Sequence, residues 1–401
     1  MQKDVRSFSP AELAERVKAA GAPKYRAEQI FRWLHADGVD SWDAMTNVPP
    51  ALRQALAQAL AEDNAGPLSP LDLDLEQVAA DGTRKMRFRT GDGRSIESVL
   101  IPEEHPGLHR GREAAPSDHG DDDGDDDAPG GDEPGRPAAA AGVPRDKLTL
   151  CVSSQVGCAL DCGFCATATL GFGRNLTAGE IVQQVYTATT RAGRRPTNLV
   201  FMGMGEPLHN FEQVTKAIAL LTHPWGAAFS PRRITVSTAG LVPKIAELGQ
   251  LTPPPNLAIS LNATTDEVRD RLMPINKKWP LAALLQAARA FPLGHGRKVT
   301  FEYVLLAGVN DSDADADRLP RLLGGLPSMV NLIPWNPFSG PQFQRPSAER
   351  IRTFQERLRG RGVQTFIRTP RGDDIDAACG QLAARATPPA LVTLRPPSGM
   401  S

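Results

Sequence analysis

A chain of 401 residues, 41% of them hydrophobic, has room for two or three domains with ample core, and no apolar run approaches the roughly 20 residues of a membrane span. The opening MQKDVRSFSP lacks the apolar core of a secretory signal, so the chain is expected in the cytoplasm, where clustered thiols serve metals or redox chemistry more often than structural bridges. The net charge of −1 hides an asymmetry: residues 103–146 carry −9, which leaves +8 on the remainder, compatible with a polyanionic partner.

Residues 1–67 read as a domain of short helices. Ser9 stands as the N-cap of a helix over 10–20, Ile30, Phe31 and Leu34 share one face of a second over 27–35, and an alanine- and leucine-rich run predicts a third over 50–61. Lys24, Tyr25, Arg26, Arg32 and Trp33 read equally as RNA contacts or as the solvated rim of a packed bundle. Over 68–103 the pattern changes to strands: 85–90 alternates cleanly, Gly91-Asp92-Gly93 makes a turn, and 95–101 supplies the next strand of a small antiparallel sheet. Glu97 lies on that last strand and, taken alone, reads as a solvated carboxylate. Residues 104–146 hold two aspartate runs, several Pro and Gly and a run of alanines, with almost nothing to bury. They are expected to be a disordered acidic insertion, without the spacing of an EF-hand loop.

From 147 to 375 strands and helices alternate. Strand candidates are 148–153, 198–202, 233–237, 256–260, 298–305, 330–334 and 363–367; helices between them include 178–191, 211–221, 281–290 and 348–358. This rhythm means an α/β fold on a parallel sheet, either a barrel or an open doubly wound one, with its chemistry at the carboxyl ends of the strands. Residues 376–401 form a C-terminal tail.

The loop after the first of these strands reads Cys158-Ala-Leu-Asp-Cys162-Gly-Phe-Cys165, three of the five cysteines within eight residues. Thiolates at this density bind metal, as a structural zinc or as an iron–sulfur cluster. Zinc would need a fourth ligand from Cys151, Cys379 or a distant histidine. A cluster held by three thiolates leaves one iron open to a substrate or cofactor, and the triplet resembles the signature of radical S-adenosylmethionine (SAM) enzymes. The other strand ends carry Gly203-Met-Gly205-Glu206-Pro207, Ser237-Thr238, Ser260-Leu261-Asn262 and Trp335-Asn336-Pro337. Glu206-Pro207 stands where a dinucleotide site would have its third glycine, so that site is excluded. A carboxylate and turn backbone at a strand end can instead receive an ammonium group. Each of these residues alone also reads as an ordinary turn, and Cys151 and Cys379 also read as small buried hydrophobes.

The run Leu150-Cys151-Val-Ser-Ser-Gln-Val-Gly-Cys158 through Cys165, with Gly-Phe-Gly-Arg-Asn175-Leu, Met202-Gly-Met-Gly-Glu206-Pro-Leu and Arg371-Gly-Asp-Asp-Ile-Asp-Ala-Ala-Cys379-Gly, resembles the RlmN family of dual-specificity RNA methyltransferases over nearly the whole chain. The resemblance implies a partial TIM-like radical SAM barrel with an N-terminal helical domain and a small β extension. It implies methylation at C2 of an adenosine in 23S rRNA, in the peptidyl transferase centre, and of one beside the tRNA anticodon. Cys158, Cys162 and Cys165 would ligate a 4Fe-4S cluster; Gly205, Glu206, Ser237, Ser260, Leu261, Asn262 and Asn336 would line the SAM site. One SAM would methylate Cys379; cleavage of a second would draw a hydrogen from that S-methyl group, and the carbon radical would add to the ring. Glu97 would take the C2 proton, and Cys151 would attack Cys379, closing a disulfide and releasing product. The expected partners are rRNA, tRNA and a reductant such as flavodoxin, with no membrane and a monomeric enzyme. The N-terminal helices and the loops near Arg174 and Lys277-Lys278 are expected to hold RNA. The acidic insertion departs from the family's short connector. Two other readings stand beside this one: the sister C8 methylation on the same cysteines, and a zinc-stabilised RNA-binding protein without activity.

Overall fold

The computed structural model describes residues 3–62, 65–103, 147–338 and 343–382. Ser9 starts α1 (Pro10–Ala19) through a capping box, its hydroxyl accepting the Glu12 N–H while the Glu12 carboxylate accepts the Ser9 N–H. α2 (Tyr25–His35) buries Ala27, Ile30, Phe31 and Leu34, and α3 (Pro50–Glu62) buries Leu52, Leu56 and Leu60, the rows that 3.6-residue periodicity puts on one face. Arg6 is fully buried and donates to the carbonyls of Leu34, Val39 and Leu68 at 2.5–2.7 Å. One guanidinium thereby satisfies the end of α2 and the entry to the sheet.

Ten strands make one sheet. β1 (Leu71–Val78), β2 (Arg84–Thr90) and β3 (Ser95–Glu103) are antiparallel, and β3 pairs antiparallel with β4 (Lys147–Cys151). The parallel run continues through β5 (Asn198–Phe201), β6 (Ile234–Thr238), β7 (Asn256–Ser260), β8 (Val299–Leu305), β9 (Ser328–Pro334) and β10 (Gln364–Ile367). The crossovers are α4 (Ala178–Ala192), α5 (Phe211–Thr222), α6 (Val242–Gly249), α7 (Asp266–Leu272) with α8 (Leu281–Ala290), α9 (Asp313–Leu323) and α10 (Ala348–Arg359). Strand order follows chain order without reversal, and right-handed crossovers then put every helix on one face. A doubly wound sheet would reverse partway, so the sheet is a partial barrel with helices outside.

Register decides which side chains face inward. Tyr303 packs on Phe354 of α10, so alternate residues of β8 face the helices and Glu302 faces the opposite way. The pairs Val99↔Cys151, Cys151↔Val200, Ser237↔Ala258, Ser260↔Glu302 and Glu302↔Asn331 put Glu97, Cys151, Ser237, Ser260, Glu302 and Asn331 on that inner face. The antiparallel strands are thus continuous with the barrel sheet. Glu97 is buried on the inner face, and its reading as a solvated carboxylate is corrected. Alternation had fixed its period but not which face water sees.

The N-terminal helices dock through α4. Gly179 N–H donates to the Ser7 hydroxyl at 2.8 Å, and a Cβ at Gly179 would lie 1.7 Å from an oxygen of Asp4. Lower on α4 the Tyr186 hydroxyl bonds Nδ1 of buried His35 at 2.7 Å. The acidic segment over 104–146 and the tail beyond residue 382 lie outside the described residues.

Candidate active site

β4 ends at Cys151, and the chain enters a hairpin whose arms, Gln155–Gly157 and Phe172–Asn175, bracket the cysteine triplet. The Cys158 N–H donates to the Gly171 carbonyl at 3.0 Å and closes the loop at its base. Gly157 has φ +71°, and a Cβ there would sit 1.9 Å from the Gly171 oxygen, so only glycine serves. Inside the loop, Cys165 N–H reaches the Cys162 carbonyl and Gly163 N–H the Leu272 carbonyl of α7, each at 3.0 Å. Phe164 packs among Leu272, Met273, Leu306 and Trp335. Burial pushes the Cys158 thiol up to about 12, with Glu206 and Cys165 adding to the effect. Burial, then Cys165 and Cys158, holds Cys162 well above the ordinary thiol range. Buried thiols held in the neutral form become thiolates when a metal centre supplies positive charge. Among the described residues no three His, Cys, Asp or Glu side chains gather closely enough for a single ion. Three thiolates from one loop fit a cluster with one iron free of protein ligands.

The strand ends around this loop are stitched to it. Gln155 is the hub: its Oε1 accepts the Glu206 N–H at 2.9 Å and its amide donates to Asn175 at 2.8 Å. Gly205, at φ +101°, passes so close that a Cβ would meet Gln155 at 2.5–2.8 Å. Glu206 is buried, with one oxygen accepting the Leu208 N–H at 3.0 Å and the other the Ala239 N–H at 2.8 Å. Burial outweighs these bonds and raises its carboxyl to about 7. The Thr238 side chain also bonds this carboxyl, which can still receive a ligand's ammonium on a remaining lone pair. Ser237 lies one residue from the end of β6 and Ser260 ends β7, and Leu261 donates its N–H to the Glu302 carbonyl at 2.9 Å. Asn262, at φ +57°, accepts the Val304 N–H on its Oδ1 at 2.8 Å and turns its amide N–H toward the Met273 sulfur. Asn336 donates to the Cys379 carbonyl at 3.1 Å, while its own Oδ1 is buried and meets no donor among the described residues.

A strap at the C-terminal side brings in the fifth cysteine. Gly380 carbonyl accepts the Ala166 N–H at 2.7 Å, Leu382 carbonyl the Thr167 hydroxyl at 2.7 Å, and Gln381 donates to the Pro337 carbonyl at 3.2 Å. Cys379 is exposed to solvent on this strap. Burial, then Glu302, pushes its thiol up to about 11. Burial likewise drives Cys151 far up, and Cys379 adds to the effect, so the two thiols lie within electrostatic reach of each other. All five cysteines are free thiols. On the adjoining strands Lys85 Nζ stands 3.9 Å from the Glu97 carboxylate and 3.4 Å from the Asp376 carbonyl of the strap.

Four polar residues escaped the sequence reading. Gln155, Lys85 and Glu302 are strand or loop residues whose direction only register reveals. Arg269 of α7 is fully buried and donates to the carbonyls of Leu261, Ala239 and Ser260 at 2.9, 2.7 and 3.1 Å, binding two strand ends together beside Cys162. Burial lowers its guanidinium to about 10. No spacing marks such an arginine. Arg174, in one of the loops expected near RNA, is paired with Asp92 and Glu180 at 2.7–3.1 Å.

A partial barrel with a three-cysteine loop at the carboxyl end of its first parallel strand defines a radical SAM enzyme, whose cofactors are a 4Fe-4S cluster and SAM. The Radical SAM superfamily model matches residues 152–319, and the Ribosomal RNA large subunit methyltransferase N-terminal domain matches residues 3–61. The chain belongs to the RlmN family. It is 47% identical to the dual-specificity RNA methyltransferase RlmN of Anaeromyxobacter sp. (strain Fw109-5), over 96% of this chain and 92% of that one. Identity is 44% to the RlmN of Geotalea uraniireducens (strain Rf4), over 95% and 97% of the two chains. The crystal structure of a radical SAM methyltransferase from Sphaerobacter thermophilus superposes with TM-score 0.80 at 44% identity, covering 96% of this chain and all of that one. Among the described residues no helix is long and apolar enough to cross a membrane.

Proposed function

We propose that this enzyme methylates C2 of adenosine in 23S rRNA and in tRNA, with Cys379 as the methyl-bearing residue. The observation that carries the reading is the strap, which holds Cys379 against the cysteine loop with Cys151 in electrostatic reach. Cys158, Cys162 and Cys165 would hold the cluster; Glu206, with Gly205, Ser237, Ser260, Leu261, Asn262 and Asn336, would hold SAM. Bound together, those two groups supply the one-electron chemistry that activates a methyl group. The chain's own residues do the rest. Cys379 presents its sulfur in the mouth. Glu97, on the same sheet face, takes the C2 proton of the base. Cys151 then attacks the Cys379 sulfur as a thiolate: the S–S bond forms as the S–C bond breaks, its electron pair stays with the methylene carbon of the product, and a proton completes the methyl group. C2 is an electrophilic carbon and cannot attack the SAM methyl directly, which makes this indirect route necessary. A low-potential reductant such as flavodoxin would feed the cluster, and the enzyme would act as a monomer in the cytoplasm.

The test is mass spectrometry of nucleosides after reaction of the reconstituted holoenzyme with SAM, reductant and RNA. The expected product is 2-methyladenosine from the native chain and none from Cys379→Ala, although that variant keeps its iron. Recovery of 8-methyladenosine would assign the sister reaction, and product from Cys379→Ala would remove the thioether route.

A further inference from the structure

The rim of the mouth carries an exposed apolar step that the core does not use. Leu170 and Phe172, on the limb returning from the cysteine loop, are 47% and 48% exposed. The Phe172 ring meets the exposed His209 ring edge-on, with centroids 5.5 Å apart and planes at 80°. Both rings are held. Phe172 pairs with Gly157 and follows Gly171, whose carbonyl grips the Cys158 N–H. His209 Nδ1 lies 3.0 Å from the Gln155 amide, and its backbone N–H donates to the Glu206 carbonyl at 3.0 Å. The Arg94 guanidinium lies against Gly173, the next residue, with Nη1 only 2.3 Å from where a Cβ would stand.

We propose that Phe172, His209 and Arg94 form a nucleotide subsite, in which an unpaired base flanking the target adenosine stacks on Phe172 and its phosphate meets Arg94. The proposal rests on the RNA reading given above. Size favours a base over a protein: three side chains fall far short of the roughly 800 Å² per partner that a stable protein interface buries. Chemistry agrees, since a base stacked on an aromatic ring is worth about 1–3 kcal/mol whatever its identity, and a guanidinium matches phosphate. Placement agrees as well, because the step is anchored to Cys158 and to the Glu206 turn, the two loops that border the site.

The experiment measures affinity of the holoenzyme for a synthetic RNA hairpin with an adenosine in its unpaired loop. Phe172→Ala is expected to weaken binding about five- to 150-fold, the equivalent of the stacking energy. Phe172→Leu should lose as much, because leucine keeps apolar area but has no π face. Phe172→Trp should retain affinity and add a fluorescence signal that RNA quenches. Arg94→Ala should lower the slope of log affinity against log salt by about one. Native affinity in Phe172→Ala, or in Phe172→Leu alone, would overturn the subsite while leaving the RNA reading intact. A native holoenzyme that fails to bind the hairpin would overturn both.

Discussion

Lys85 and Glu97 are a buried pair, their side chains 9% and 6% exposed, on neighbouring strands of the inner face. Removing one member of such a pair strands the other's charge, which costs far more than the pair contributes intact. Lys85→Met is therefore expected to destabilise the fold by roughly 3 kcal/mol, read as a lower denaturant midpoint. Adding Glu97→Gln should recover part of that loss, so that the double variant falls short of the sum of the two singles. If the two losses add fully, the pair is not coupled. At this scale the cysteine triplet and Glu206 were legible because their chemistry is written in spacing. Glu97 and Arg269 were not: a strand pattern leaves its two faces equivalent until a neighbour fixes the register, and a buried arginine is defined by the carbonyls it finds.

The strap is an element without periodicity. Nothing in 376–382 alternates, and its position comes from single hydrogen bonds to Lys85, Ala166, Thr167, Asn336 and Pro337. Periodicity therefore read it only as a tail, and Cys379 was singled out by the family resemblance alone, whereas the N-cap at Ser9 and the alternation of 85–90 announced their elements. Two of the strap's partners directly follow Cys165, so its order is tied to the cluster loop. Removing iron with a chelator is expected to speed amide exchange in 158–170 and 376–382 while leaving β6 through β9 protected. Exchange that is unchanged in the strap would mean that it is held independently of the cluster.

Across the whole molecule, the N-terminal helices depend on α4 for their docking, and that interface contains a pH sensor of stability. Burial, then Arg6 and His223, lowers His35 from 6.5 to about 3. Between those values the unfolded chain binds a proton that the folded chain excludes, so stability is full above pH 6.5 and falls below it. The expected loss is about 1.4 kcal/mol per pH unit, or about 2 kcal/mol at pH 5 from this residue. Urea midpoints at pH 7 and pH 5 measure it, and His35→Gln should flatten the difference. The order of strands was legible as a rhythm, but the choice between a barrel and a doubly wound sheet was not, because both share that rhythm and differ only in which neighbour each strand chooses. The last rung of the β3–β4 ladder joins Glu103 to Lys147, at the end away from Cys151. The ladder is thus closed before the intervening residues begin, and a two-residue turn could replace them without disturbing a single rung. That junction is a natural port for grafting: a fluorescent module or affinity handle spliced there would ride on the enzyme at the edge remote from its thiols.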